Sequence, residues 1–462
     1  MLWYEAERPE SVTLVRRAAE VVRAVADRLA SPERVAEIAG APSNTLTSPQ
    51  GVEPVWRPVG LGDGFPAVGL LFAELAATDP AQRRRVHAHL SAAVGALRSG
   101  TPRLYAGMAS LAFAGQAAAA SFGGYAGMLE RLDREIAQQI RERLAADRER
   151  IVDGRPIGVH DGYDVISGAA GVGRYLLDRY QVTGDPTVGE ALTDVLDTLV
   201  AIGLAEDVPI RGKRLPPWWA YHVGTGRDGH LNLGLAHGVA GPLALLALAW
   251  RDGIRTNGQR EAVERIVALL SRWRIEHDDG PGWPRWVGPE DYAAVTARPG
   301  AAGSGAPDVS VARRPREREV WCYGGAGVGR ALHLAGSAFD RPDWWNEGRR
   351  AVRAAVDTAE DRVIHDFALC HGWSGLLQIS SRMAADTGDV AFRNAADRLA
   401  GQVLAGWDPA APFGFRYRQA AGLGWVDRPG FLEGAAGIAL ALHTYASSAP
   451  PRTDWDAALL LA

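Results

Sequence analysis

Cysteine is nearly absent from this chain, which has only Cys322 and Cys370 among its 462 residues. Two cysteines are too few for a disulfide framework. A single bridge is disfavoured in a chain of this length whose N-terminus lacks the charged-then-apolar layout of a secretory signal. The two thiols are therefore expected to be either buried apolar residues or reactive groups in a defined environment.

A strong excess of charge of either sign is also absent. The formal net charge is −4, with basic and acidic residues interleaved, so the chain has no electrostatic footprint for nucleic acid. Strand-like patterns are sparse.

Residues 104–129 and 231–250 contain no Asp, Glu, Lys or Arg, and each run is long enough to span a bilayer. Their richness in Ala and Gly, and the breaks at Asn232, His237 and Pro242 in the second, favour buried helices instead.

Glycine turns are abundant. Gly-x-x-Gly segments begin at Gly168, Gly238, Gly324, Gly372 and Gly434, and degenerate copies begin at Gly64 and Gly107. A small, apolar segment follows each turn, whereas segments such as 128–144 and 263–273 carry apolar residues three and four apart. A helix that is apolar all round is buried, and an amphipathic one covers it. Seven inner and outer helix pairs predict an all-α, two-layered barrel with the turns at one end.

Closed repeats of this kind form long single domains, so residues 1–462 are predicted to be one domain with an N-terminal helical and loop extension at 1–60. Residues 280–318 combine two tryptophans, a Gly/Ala/Pro-rich run and a cluster of four arginines at 313–318, which predicts a loop insertion. A second candidate loop, 209–229, contains Trp218, Trp219 and Tyr221. If exposed, these aromatics suit a peptide-binding surface, and if buried they belong to the core.

Both cysteines lie two residues before the first glycine of such a turn, and His371 directly follows Cys370. Successive helical side chains diverge by about 100°, so this adjacent pair reaches one metal ion only from an irregular turn, which Gly372 permits. Two thiolates and an imidazole are ligands that zinc prefers, and an open fourth position is typical of catalytic zinc. The sequence predicts one Zn²⁺ per chain, held by Cys322, Cys370 and His371. The alternative is that both cysteines are ordinary buried residues.

The segments at 321–324 (Trp-Cys-Tyr-Gly), 370–372 (Cys-His-Gly) and 236–238 (Ala-His-Gly), with the seven glycine turns, together resemble the lanthionine synthetase C family, the lanthipeptide cyclases. The resemblance extends from roughly residue 60 to roughly residue 445. It implies a double-layered α/α toroid of seven inner and seven outer helices with glycine-rich turns around a central zinc site. It also places the family's zinc ligands on Cys322, Cys370 and His371.

The resemblance further implies which residues act. The family histidine implicated in proton transfer falls on His237, a family arginine on Arg318, and a family aspartate on Asp164, with Asp161 as a rival for that last role. The residues by themselves leave three alternatives open. His237 could be a satisfied core histidine, Arg318 a solvated member of a basic loop, and Asp164 the cap of the helix that starts near Gly168.

The implied reaction is the zinc-dependent, intramolecular Michael addition of peptide cysteine thiols to dehydroalanine or dehydrobutyrine, which forms (methyl)lanthionine rings. The implied substrate is a dehydrated precursor peptide, with a separate dehydratase and an exporter complex as partners. The expected location is cytoplasmic, with peripheral association with a membrane-bound biosynthetic complex as an option. Only about sixty residues precede the first glycine turn, which suits a stand-alone cyclase.

Two further classes of protein remain as alternatives. A non-catalytic, zinc-containing adaptor of the same fold would bind a peptide or glutathione, but it needs no proton donor such as His237 and no Arg318. A zinc-dependent prenyltransferase also activates a peptide thiol, but its zinc ligands are an aspartate, a cysteine and a histidine. Two cysteines on consecutive glycine turns argue against that class.

Overall fold

The computed structural model describes residues 9–48, 51–98, 101–155, 162–220, 228–296, 319–361, 364, 366–419 and 424–462. Within these ranges helices dominate, as the predicted all-α class requires. In chain order they are α1 (Pro9–Arg28), α2 (Pro32–Ala39), α3 (Phe65–Ala76), α4 (Arg83–Ala96), α5 (Met108–Phe122), α6 (Ala126–Val152), α7 (Ala169–Thr183), α8 (Pro186–Leu204), α9 (Ala240–Arg251), α10 (Gln259–Arg272), α11 (Pro289–Thr296), α12 (Gly325–Phe339), α13 (Pro342–Asp357), α14 (Trp373–Thr387), α15 (Val390–Ala405) and α16 (Ala435–Ser447).

The strands of the described residues are short and pair only as two-stranded antiparallel ladders. In chain order they are β1 (Thr45–Ser48), β2 (Gly51–Pro54), β3 (Val208–Ile210), β4 (Lys213–Leu215), β5 (Leu231–Asn232), β6 (Ile275–His277), β7 (Gly280–Gly282), β8 (Trp286–Val287), β9 (Tyr417–Arg418) and β10 (Trp425–Val426). The pairs are β1–β2, β3–β4, β5–β8, β6–β7 and β9–β10. No larger sheet therefore competes with the helices for the core of the described chain.

Inner helices follow the glycine turns, as predicted. They are α3, α5, α7, α9, α12, α14 and α16. In α9, every residue from Ala240 to Ala249 is buried, because this helix is apolar on all sides. The outer helices are amphipathic, and α6 buries one stripe, which includes Leu129, Ile136 and Leu144. The predicted alternation of inner and outer helices is confirmed.

The described chain divides into two compact units. The first unit comprises Met1–Arg98, Phe113–Tyr125 and Arg362–Trp455, and the second comprises Ser99–Ala112, Ala126–Asp361 and Asp456–Ala462. In the first, α16 packs against α3 and α14, while α4 covers α3 and α15 covers α14. In the second, α9 packs against α7 and α12, while α8, α10 and α13 cover them. Each unit therefore has an inner and an outer layer.

The N-terminal helix α1, within the predicted helical and loop extension, has the position of an outer helix. It packs against α15 and α16 of the first unit, and it buries Ala18, Val21, Val22 and Val25. Among the described residues, α1, α4, α6, α8, α10, α13 and α15 are thus the seven outer helices of the two units. No glycine turn precedes α1, so the repeat pattern did not reveal its role.

Neighbouring glycine turns are joined by backbone hydrogen bonds. In the second unit, Val165 N–H donates to Ala236 O (3.0 Å) and Leu235 N–H to Cys322 O (3.1 Å). In the first unit, Cys370 N–H donates to Leu432 O (2.9 Å) and Phe431 N–H to Gly62 O (2.9 Å). Each acceptor lies two residues before the first glycine of the next turn. Equivalent residues of neighbouring turns are thereby brought side by side.

The second glycine of a turn is required by close packing. A Cβ on Gly171, Gly327 or Gly437 would clash with a backbone carbonyl six residues earlier, that of Val165, Trp321 or Phe431 respectively. The first helical turn of α7, α12 and α16 therefore packs directly against the backbone segment that precedes the helix. Only glycine allows that approach.

Three sequence-based interpretations are settled in part by these elements. The uncharged runs contain α5 and α9, and none of the described helices combines the length and the hydrophobicity of a membrane span. Trp218 and Trp219 are buried and belong to the core, whereas Tyr221 lies outside the described residues. The predicted loop insertion at 280–318 is structured at its start by β7, β8 and α11, and residues 297–318 lie outside the described ranges.

Candidate metal centre

Cys370 and His371 lie in an irregular turn that ends where α14 begins, as the adjacent ligands require. Asp366 organises this turn, because its Oδ1 accepts the N–H of Ala368 (2.9 Å). A Cβ on Gly372 would clash with Asp366 Oδ1 and Ala368 N. The glycine therefore lets the turn close around the aspartate, which fixes the direction of the two candidate ligands.

The His371 imidazole lies between two carboxylates. Its Nδ1 is 2.5 Å from Asp366 Oδ2, and its Nε2 is 3.2 Å from Glu433 Oε1. Burial alone would lower the pKa of His371, but its hydrogen bonds to Asp366 and Glu433 raise the pKa well above its usual value. Each ring nitrogen of His371 therefore faces one carboxylate oxygen.

Glu433 is held from its other side by a buried arginine. Arg428 Nη1 pairs with Glu433 Oε2, and Arg428 Nε donates to Asp63 Oδ2 at 2.9 Å. Burial would raise the pKa of Glu433, but the charge of Arg428 and the hydrogen bond from His371 lower it to about 2. Glu433 is therefore an ionised carboxylate in a fixed position.

Cys370 completes a cluster of potential metal ligands. One ligand atom each from Cys370, His371 and Glu433 lie within 4.8 Å of one another, and all three residues are partly exposed. Thiolate, imidazole and carboxylate are all zinc donors. The Asp366 carboxylate on the far nitrogen of His371 is the usual outer partner of a metal-binding histidine. The donor set and its supporting carboxylate fit a zinc ion.

Cys322 belongs to the second unit, whereas Cys370 and His371 belong to the first. Cys322 is 4% exposed, and its carbonyl accepts the N–H of Leu235. Neither cysteine forms a disulfide. The membership of Cys322 in the ligand set remains a prediction. Trp321, beside it, is a core residue whose indole N–H donates to Leu459 O at 2.9 Å.

His237 and Asp164 form a second histidine–carboxylate pair. His237 Nδ1 is 2.6 Å from Asp164 Oδ2, and Asp164 Oδ1 accepts the N–H of Ser167 at 2.7 Å. The Asp164 side chain is 1% exposed, while that of His237 is 33% exposed. Asp164 therefore both organises the glycine turn and orients His237, so its two proposed roles are compatible. Arg318 and Asp161 lie outside the described residues.

Asp366 and Glu433 were not identified from the sequence. A signal for Glu433 was present, since it directly precedes Gly434 just as His371 precedes Gly372 and His237 precedes Gly238. That register would have singled out the residue before the first glycine of every repeat as a candidate for chemistry.

Comparisons with known proteins agree on one family. The model of the lanthionine synthetase C-like protein family matches residues 55–460. The nisin biosynthesis protein NisC of Lactococcus lactis subsp. lactis is 24% identical over 337 residues, which cover 70% of this chain and 72% of that protein. The solved structure of a nisin cyclase matches with a TM-score of 0.69 at 21% identity, over 96% of this chain and 97% of the other. That likeness confirms the predicted fold class, the two-layered α/α toroid.

Proposed function

The chain belongs to the lanthionine synthetase C-like family, and from this premise we propose that it is a zinc-dependent lanthipeptide cyclase. Its reaction would be the intramolecular addition of peptide cysteine thiols to dehydroalanine or dehydrobutyrine, giving (methyl)lanthionine rings. The observation that carries the proposal is the cluster of Cys370, His371 and Glu433. It provides metal donors on two glycine turns of a fold shared with a nisin cyclase.

Cys322, Cys370 and His371 are the proposed ligands of one zinc ion per chain. When bound, zinc lowers the pKa of a coordinated peptide thiol and keeps it as the nucleophilic thiolate. Asp366 accepts the proton of His371 Nδ1 and thereby keeps Nε2 as the nitrogen that faces the metal. The partial exposure of Cys370 and His371 gives a peptide access to this position.

His237 is the proposed proton donor. Addition of a thiolate to the β-carbon leaves an enolate, whose α-carbon must then gain a proton. Asp164 binds Nδ1 of His237, so Nε2 is the nitrogen that exchanges a proton with the substrate. The carboxylate stabilises the imidazolium form that donates this proton. Arg318 is the proposed partner of the enolate oxygen.

The proposed substrate is a dehydrated precursor peptide, delivered by a separate dehydratase, with an exporter complex as a further partner. The proposed location is cytoplasmic. An adaptor of the same fold that binds peptide or glutathione is the second candidate. The His237–Asp164 pair favours the enzyme, because a buried carboxylate that orients a partly exposed histidine suits proton transfer, a step that an adaptor does not perform.

Metal analysis and a cyclisation assay on a dehydrated peptide test the proposal together. The wild-type protein should contain about one zinc per chain and form thioether rings. Cys370→Ala should lose both the metal and the activity while it still binds the dehydrated peptide. His237→Ala should keep zinc but cyclise roughly 10²–10⁴-fold more slowly. His87, an exposed histidine of α4, provides the matched control, and His87→Ala should behave as wild type.

A wild-type protein without zinc would refute the metal assignment. A zinc-containing protein that binds dehydrated peptide but forms no ring would favour the adaptor.

A further inference from the structure

The carboxylate of Glu433 has no role in the proposed ligand set, although it directly faces His371. We propose that Glu433 is the fourth zinc ligand in the peptide-free protein, and that an incoming thiol takes its place. This inference rests on the proposed zinc site and goes beyond it. It identifies which group of the chain occupies the substrate's position before the substrate arrives.

The distance between His371 and Glu433 supports direct coordination. A nitrogen and an oxygen that each lie about 2.0–2.2 Å from one tetrahedral zinc ion are separated by about 3.4 Å. The observed distance from His371 Nε2 to Glu433 Oε1 is 3.2 Å. The two atoms therefore already have the spacing of one edge of a zinc tetrahedron, without rearrangement of either turn.

The surroundings keep Glu433 in this position. The hydrogen bond from Cys370 N–H to Leu432 O joins the backbones of the two turns directly beside the ligands. Arg428, which is also bound to Asp63, pairs with the second carboxylate oxygen and leaves Oε1 toward His371. The carboxylate is therefore ordered before metal or peptide binds, which reduces the entropy cost of coordination.

Charge explains why such a ligand can be exchanged. A thiolate and a carboxylate each contribute one negative charge, so replacement of Glu433 by a peptide thiolate leaves the charge of the coordination shell unchanged. The proton of the thiol leaves to solvent. The displaced carboxylate still lies beside Arg428 and does not become an unpaired buried charge. Glu433 would thus protect the metal from water while remaining replaceable.

The first experiment needs no variant. Wild-type protein, stripped of zinc and loaded with Co²⁺, would be examined by pulsed electron paramagnetic resonance in D₂O. A Glu433 ligand predicts no exchangeable deuterons in the first coordination shell of the peptide-free protein. Strongly coupled water deuterons at the cobalt would overturn the inference.

The second experiment measures competition with 2-mercaptoethanol as the thiol probe, followed by the sulfur-to-cobalt charge-transfer absorption. A ligand tethered to the protein competes at an effective concentration of the order of millimolar or more. Glu433→Gln should therefore bind the probe at least about tenfold more tightly than wild type. Glu433→Asp keeps the negative charge but shortens the side chain, so that the carboxylate no longer reaches the metal. If this variant also binds the probe more tightly than wild type, the effect is due to lost coordination and not to lost charge repulsion.

Glu74→Gln is the matched control, since Glu74 is a buried carboxylate of the same unit that bonds to Arg452 and Thr453 backbone N–H groups. Its affinity for the probe should equal that of wild type. Equal probe affinity in wild type and both Glu433 variants would overturn the inference. A wild-type protein that binds no zinc would instead refute the proposed function, so the two failures are distinguishable.

Discussion

Replacement of Asp164 by asparagine tests the proposed proton donor with a minimal change of shape. The amide oxygen of asparagine can still accept the N–H of Ser167, which keeps the glycine turn closed. The amide NH₂, however, would face His237 Nδ1 where Asp164 Oδ2 lies now, at 2.6 Å. An NH₂ group donates and does not accept, so it would favour the neutral tautomer with its proton on Nε2.

The size of the effect follows from the lost hydrogen bond. A hydrogen bond to a charged group contributes about 1.5–3 kcal/mol. Asp164 is almost fully buried, so solvent screens this contact little. If the imidazolium form of His237 loses that stabilisation during proton transfer, cyclisation should slow by about 10- to 150-fold, because about 1.4 kcal/mol corresponds to a factor of ten.

The assay is the single-turnover rate of ring formation on a dehydrated peptide, with zinc content measured on the same sample. Because Asp164 acts through His237, the double variant with His237→Ala should be no slower than His237→Ala alone. A wild-type rate in Asp164→Asn would remove the pair from the mechanism. Additive losses in the double variant would show that Asp164 acts by another route.

Three further outcomes are expected. Burial lowers the pKa of His89 to about 4, although the hydrogen bond of its Nε2 to Leu29 O acts in the opposite direction. Between about pH 6.5 and 4, the unfolded chain therefore binds a proton at this histidine that the folded chain does not bind. The free energy of unfolding, measured by denaturant titration, should therefore fall by about 3 kcal/mol more in wild type than in His89→Gln as the pH drops through that range. Cys322→Ala should lose zinc by metal analysis, and full zinc occupancy in that variant would remove Cys322 from the ligand set. Arg318→Lys should slow cyclisation with zinc content unchanged, because lysine lacks the planar fork of the guanidinium, and an unchanged rate would contradict its assignment.

The helices were predictable because their signals are local. In the turns before α7, α12 and α16 the second glycine is required by contact with a carbonyl six residues earlier, so the glycine pattern marks the start of these inner helices. The outer role of α1 was not predictable in this way. Its stripe of Ala18, Val21, Val22 and Val25 shows that one face is buried, but its partners α15 and α16 lie at the opposite end of the sequence. Periodicity identifies an apolar face and does not identify what covers it.

At the candidate site, too, the local features could be predicted from the sequence and the contacts between distant residues could not. The adjacency of Cys370 and His371 required an irregular turn, and the turn is present. Asp366 was missed because its contact with His371 depends on how that turn closes around Gly372. Glu433 was missed because it reaches His371 only through the backbone pairing of two turns that are sixty residues apart in the sequence.

Within a glycine turn, the position that packing restricts differs from the positions that carry the candidate functional side chains. At Gly171, Gly327 and Gly437 the second glycine is fixed by the clash that a Cβ would cause with a backbone carbonyl. The residue before the first glycine meets no such restriction, and in the five complete repeats it is Ser167, His237, Tyr323, His371 and Glu433. Since backbone hydrogen bonds align neighbouring turns, side chains at this position come into contact, as the 3.2 Å separation of His371 and Glu433 shows. The two residues before the first glycine therefore carry the candidate functional side chains, with Cys322 and Cys370 at the first of these positions and His237, His371 and Glu433 at the second.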